Sequence, residues 1–220
     1  MPLRAERRPM RPPSCPRCSG PVHEPGLWSS AWQCDRHGDV LPYHQCPKPS
    51  REAIDAAIVR SHAPWWTPYP SMIGWTVSGL GHCGDDARGT RASAVCFSGP
   101  NPFGGPVDLL VVAEEPGVGI GARFAGLDGL DPGEAVFEAS PDIHIEADGH
   151  ACPLWCVPSA DDRLAYVGEA LGMWLWAVVW PPAAGVLLLD DLRLADVRES
   201  RPALEALVCG APSPHMTVSA

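Results

Sequence analysis

The feature that most constrains this chain is Cys15-Pro16-Arg17-Cys18-Ser19-Gly20, answered across 15 intervening residues after Cys18 by Cys34-Asp35-Arg36-His37-Gly38. Each stretch offers two soft ligands separated by two residues. That spacing lets two short loops wrap one tetrahedral metal ion. Cys15, Cys18, Cys34 and His37 are therefore the expected ligands of a zinc ion, with His23, His44 and Cys46 as substitutes for His37. Four protein ligands leave no open position for water, so such a zinc is structural rather than catalytic. Gly20 and Gly38 are expected to supply the positive φ that a loop folding back on a metal requires. Between the loops, Gly26 reads as a turn with Trp28 and Trp32 beyond it. This suits a small two-stranded ribbon that cannot fold without its metal.

A ribbon of about 30 residues leaves most of the 220-residue chain for one larger domain. The net charge of −10 is unevenly spread: residues 1–60 carry 9 Lys/Arg and 6 Asp/Glu, while residues 61–220 carry 7 and 20. An acidic body argues against general nucleic-acid binding by the larger domain, because phosphates need a basic face. A protein or nucleic-acid partner is instead expected at the basic N-terminal ribbon. Nine cysteines beside a thiolate metal site, with no apolar secretory segment, point to a reducing compartment and a cytoplasmic protein. Met10 is an expected alternative start. Ala170 to Leu189 holds no charge, but Pro181, Pro182 and Gly185 interrupt it and Glu169, Asp190 and Asp191 flank it. A buried hairpin, not a membrane span, is expected there.

The fold class expected is α+β, a small N-terminal zinc ribbon followed by a mainly antiparallel β-sheet domain with one or two helices. Residues 1–13, rich in Pro and Arg, are expected to be a disordered tail. The ribbon takes residues 14–46. A helix capped by Ser50 and a Pro/Trp-rich linker take residues 47–70, where Trp65 to Pro70 is expected as an extended strap because of its prolines. The α+β domain takes residues 71–210. Its strands are expected at Ile73 to Cys83, Arg91 to Ser98, Val107 to Glu115, Asp142 to Ala147, Ala151 to Val157, Leu164 to Glu169, Met173 to Trp180 and Val186 to Leu189. Leu204 to Cys209 reads as a final helical turn or strand, and residues 211–220 as a loose tail.

The CPRC and CDRHG pair, the block AVCFSGPNPFGGPVDLLVVAEEPGVGIGARFAGLDGLDPG and the run GEALGMWLWAVVWP together resemble an actinobacterial family of uncharacterised proteins with an N-terminal zinc ribbon. The similarity spans about residues 10 to 210. It implies the same two-part plan and the zinc. Some members carry a phosphotransacetylase-like label, which implies acyl transfer.

Gly117-Val-Gly119-Ile-Gly121-Ala-Arg123, directly after an apolar run, is the candidate cofactor site. Its backbone N–H groups suit the pyrophosphate of an acyl carrier or a dinucleotide. Gly126, Gly129 and Pro132 limit any following helix, and Glu114 and Glu115 repel a phosphate, so a tight turn is the favoured reading. Asp142, His144 and Glu146 alternate with Ile143 and Ile145, as a second metal site with His150, Cys152 and Cys156 requires, but also as any strand with one solvated face requires. His82, Cys83, Asp85 and Asp86 hold the residue types of a thiol nucleophile with base and acid. Neighbouring strand residues point to opposite faces, however, which separates His82 from Cys83. The expected role is a binding or regulatory module; the alternative is an acyl-transfer enzyme using the Gly117 to Arg123 turn.

Overall fold

The computed structural model describes residues 12–27, 29–101, 103–189 and 192–216. Most of the expected N-terminal tail, together with Trp28, lies outside them. Two strands, β1 (Trp32–Cys34) and β2 (Gly38–Val40), pair antiparallel across the second ligand loop. The chain also turns back at Gly26, whose N–H donates to the Ser29 carbonyl (2.9 Å). Beyond that turn His23 and Gln33 exchange both backbone bonds (2.8 and 3.0 Å) in a single antiparallel bridge, while the regular hairpin is β1 with β2.

Everything else is built on one sheet of ten strands. These are β3 (Tyr43–Cys46), β4 (Trp66–Pro68), β5 (Thr76–Asp85), β6 (Gly89–Pro100), β7 (Pro106–Glu114), β8 (Ile143–Ala147), β9 (His150–Val157), β10 (Leu164–Ala170), β11 (Met173–Trp180) and β12 (Arg193–Asp196). Their order is β3-β5-β6-β7-β11-β10-β9-β8-β12-β4. Every pairing is antiparallel except β8 with β12. The fold is therefore mainly antiparallel β with short helices, behind a small N-terminal ribbon. Residues 43–46, expected to close the ribbon, form the sheet's first strand.

Both faces of the central strands are covered, and this accounts for the long apolar runs. In β11, Leu175, Ala177 and Val179 enter one core with Trp66, Val95 and Leu109, while Trp176, Val178 and Trp180 enter a second with Leu110 and Phe124. A strand buried on two faces reads as continuous hydrophobicity, which is why this stretch imitates a membrane span. No helix among the described residues is long and apolar enough to cross a membrane. The hairpin is β10 with β11, turned by Leu171 (φ 55°) and Gly172 (φ 75°). Val186 to Leu188, expected as strand, instead belongs to a 3-10 helix spanning Pro182–Leu188, whose Pro start has no N–H to give a sheet ladder.

Helix α1 (Arg51–Ile58) begins at Ser50, whose hydroxyl accepts the Ala53 N–H. It buries Ile54 against the first core. The expected Trp65 to Pro70 strap is in part a regular strand: β4 is the sheet's outermost strand, paired only with β12. An edge tolerates the missing N–H of Pro68. Residues 211–216 are pinned, not loose. Ser213 donates its N–H to Ser78 O (2.8 Å) and its hydroxyl to Asp108 (2.6 Å), and Met216 is buried.

Asp196 fastens β4 and β12. Fully buried, its carboxylate accepts the N–H of Trp65 (3.0 Å) and of Arg198 (3.1 Å) and pairs with the Arg198 guanidinium at 2.6 Å. Asp196→Ala leaves the Trp65 and Arg198 N–H groups without an acceptor and the Arg198 guanidinium with only the Ser61 and His62 carbonyls, and removing one partner of a buried ion pair costs about 3–5 kcal/mol. Chemical denaturation of the variant should show a loss of that size, whereas a loss below about 1 kcal/mol, the scale of a surface pair, would refute this role.

Candidate metal centre and neighbouring cleft

The first ligand loop is closed by Cys15 N–H to Gly20 O (2.8 Å) and Ser19 N–H to Cys15 O (2.9 Å). Ser19, not Gly20, takes the left-handed conformation (φ 61°). Gly20 serves another purpose, since a Cβ there would stand 3.3 Å from Cys18 Sγ. Gly38 has the expected positive φ of 65°. Cys15, Cys18, Cys34 and His37 present ligand atoms all within 4.8 Å of one another. Their spacings are those of a tetrahedron: Cys18 Sγ to Cys34 Sγ is 3.8 Å, and His37 Nδ1 lies 3.5 Å from Cys15 Sγ and 3.6 Å from Cys34 Sγ. Bonds of about 2.3 Å to sulfur and 2.0–2.1 Å to nitrogen in a tetrahedral ion require about 3.8 Å and about 3.6 Å. The donors thus surround a space of metal size. Burial pushes the Cys15 thiol up to about 11. Burial also acts to raise Cys34, but the N–H of Arg36 and the His37 ring outweigh it and bring that thiol down to about 6.

The substitutes for His37 are engaged elsewhere. Cys46 bonds the Lys48 carbonyl, His23 pairs with Asp35 at 3.2 Å, and His44 sits in β3 with Nε2 3.1 Å from Gly84 O. His37→Ala should therefore abolish stoichiometric metal retention while Cys46→Ala keeps it, as read by elemental analysis after gel filtration. The reverse pattern would move the fourth ligand to Cys46.

The glycine turn and the ribbon, far apart in sequence, meet. Arg17 in the first ligand loop donates to Gly117 O at 2.9 Å, and a Cβ on Gly119 would stand 3.1 Å from Arg17 Cγ. Arg123 donates to Ser19 Oγ (2.7 Å), with its guanidinium 4.8 Å from the Tyr43 ring centroid and 4.4 Å from that of Phe124. Gly117 and Gly119 have positive φ, and Gly121 lies against Trp176, where a side chain has no room. The turn opens a short helix, α2 (Ile120–Ala125), ended by Gly126 as its glycines foretold. The N–H groups of Ile120 (2.8 Å) and Gly121 (3.1 Å) already donate to buried Glu114. What resembles a phosphate cradle is thus filled by the chain's own Glu114 carboxyl group and serves as the ribbon's seat.

No second cluster of three or more metal-type ligands occurs among the described residues. Asp142 and His144 are solvated, Ile143 and Ile145 buried, and Glu146 pairs with Arg193 at 3.7 Å. His82 and Cys83 do face opposite ways, Cys83 into the second core, where burial holds its thiol well above its ordinary value. Asp108, Ser213 and His215 meet as well, but Ser213 donates straight to Asp108 and His215 Nε2 stands 3.8 Å from that same carboxylate oxygen. A catalytic triad needs the histidine between the other two. The arrangement clamps the C-terminal segment.

The sequence did not foretell a cleft of about 580 Å³ between ribbon and body. Glu24, Pro25, Ser30 and Trp32 line it from the ribbon; His44, His82, Arg60 and Thr90 are among the residues opposite. His44 and His82 are direct cross-strand partners, their rings stacked at 5.0 Å and 19°, with Trp32 edge-on to His44 at 6.5 Å. Burial, then the neighbouring His44, brings His82 down to about 4; burial lowers His44 too. Their pairing joins strands 38 positions apart in sequence, which neither motif nor periodicity signals.

Fold and site together define a two-part β protein, a ten-stranded sheet carrying an N-terminal ribbon with a Cys3His cluster able to hold a metal ion. The chain belongs to DUF6758, a family of unknown function whose model matches residues 10–216. No curated protein and no solved structure matches it.

Proposed function

We propose that the protein is a zinc-stabilised binding module, in which zinc on Cys15, Cys18, Cys34 and His37 keeps the ribbon folded on the body as one wall of a ligand cleft. The carrying observation is the division of the cleft's lining between ribbon and body. A tetrahedral set of three thiolates and one imidazole suits zinc, and its four ligands make the metal a builder of shape rather than a catalyst. Nine unpaired cysteines fit the reducing cytoplasm. Within the ribbon, residues 12–42, Arg17 and Arg36 are set against Glu24, Asp35 and Asp39, and Arg17 is spent on Gly117. That balance favours a ligand taken into the cleft over nucleic acid held on a basic face.

The reading is tested by hydrogen exchange on zinc-loaded wild type and on Cys15→Ala/Cys18→Ala. Exchange in the variant should rise throughout the ribbon and also in the facing wall at Ala56 to Arg60 and Asp85 to Thr90. Unchanged exchange across that wall would mean that the ribbon does not form the cleft.

A further inference from the structure

We propose that His44 and His82 form an open, two-imidazole site for a divalent transition-metal cation, separate from the Cys3His centre. This rests on reading the cleft as the protein's binding site and names what that site takes. The two residues face each other across β3 and β5, so both rings stand on one side of the sheet, near-parallel and inside the cleft. The Gly84 carbonyl, 3.1 Å from His44 Nε2, calls for a proton on that nitrogen. Nδ1 then carries the free lone pair, the arrangement that ligating histidines share when a backbone carbonyl fixes the tautomer.

The His82 imidazole makes no hydrogen bond to any described residue, so both of its ring nitrogens are uncommitted. Two nitrogens on one tetrahedral ion stand about 3.4 Å apart. The torsion that turns a histidine ring is broad, so rings with centroids at 5.0 Å can tilt toward a common ion. Glu24, Asp85 and Asp86 outnumber Arg60 around the cleft, which gives it the sign that attracts a cation. Imidazole selects zinc, copper and nickel over magnesium and calcium. With two protein ligands, most coordination positions remain open to water or a small anion, unlike the closed ribbon centre.

Nickel is the probe, because elemental analysis separates it from zinc already in the ribbon. Tag-free holoprotein is dialysed against Ni²⁺, and nickel and zinc per chain are counted for wild type, His44→Ala, His82→Ala, His82→Gln and His150→Ala. Wild type and His150→Ala should gain one nickel with zinc retained, and the His44 and His82 variants should bind it about tenfold more weakly or worse. Melting curves establish which variants are folded, and His82→Gln keeps the test valid if His82→Ala is not. No nickel beyond the zinc equivalents, or equal nickel in the folded His44 and His82 variants, overturns the proposal. Those outcomes leave the ribbon reading intact, because that reading fails separately, through unchanged exchange in Cys15→Ala/Cys18→Ala.

Discussion

Cys15→Ala/Cys18→Ala should purify without zinc and with its ribbon unfolded, while the ten-stranded sheet stays folded. The ribbon's own core consists of Cys15, Cys34 and Val40, with Cys18, Val22 and Trp32 packed partly against it. Half of that cluster belongs to the Cys3His set. Once the metal is gone, one buried valine and two half-buried side chains remain, too little to hold the segment against chain entropy. Structural zinc sites of this kind supply about 10–16 kcal/mol of apparent binding energy in isolated peptides, so their loss is not graded. The two cores of the body contain none of the four ligands. Zinc should fall from about one per chain to below about 0.1, and trypsin should cut at Arg17 and Arg36 while the sheet resists. Loss of Arg17 and Ser19 from the seat exposes Arg123 and Tyr43, so the body should also melt a few degrees lower. A variant that keeps the ribbon protease-resistant would show that the metal is not what folds it.

Glu114 should make the protein less stable as pH rises through neutrality. Its carboxyl is fully buried, and burial, with added repulsion from Asp131, pushes it up to about 8 from 4.5, against the pull of the Ile120 and Gly121 N–H groups. Between these values the folded chain holds a proton that the unfolded chain has released. The contribution is therefore fully present below about pH 4.5 and is lost as pH climbs through about 8. The steepest slope is about 1.4 kcal/mol per pH unit for one proton. Glu114→Gln should flatten that slope in denaturation measured from pH 5 to 8.5. Glu114→Ala leaves two buried N–H groups without an acceptor, at about 1–3 kcal/mol each, and opens a cavity as well. Stability that rises with pH, or a slope unchanged in Glu114→Gln, would contradict the assignment.

The sequence made the Cys3His cluster legible because four soft donors at fixed spacing have few uses. The seven strands β5 to β11 were legible for a related reason, since turn chemistry such as Asp148-Gly149, both with positive φ, punctuates apolar runs, whereas β3, β4 and β12 were not foreseen. Long-range relations stayed hidden. Nothing local says that Arg17 reaches Gly117, or that β3 belongs to the sheet and not the ribbon. The Gly117 to Arg123 turn was visible as a turn, and its glycines did limit α2 to six residues. Glu114 was noted as a charge that repels phosphate; in the fold its buried carboxyl group fills the helix start. Pro68 misled because a proline excludes a central strand but not an edge one, and edges are set by topology. His44 and His82 were each visible as candidate chemistry, His44 beside the ribbon ligands and His82 beside Cys83, but nothing local joins them to each other until the sheet pairs them.

The most direct test of the zinc ribbon is X-ray absorption at the zinc edge of the purified, tag-free protein. Three sulfur neighbours at about 2.3 Å and one nitrogen neighbour at about 2.0 Å, at one zinc per chain, are the expected result. A shell of four sulfurs, a shell rich in oxygen, or no zinc at all would contradict the assignment of Cys15, Cys18, Cys34 and His37.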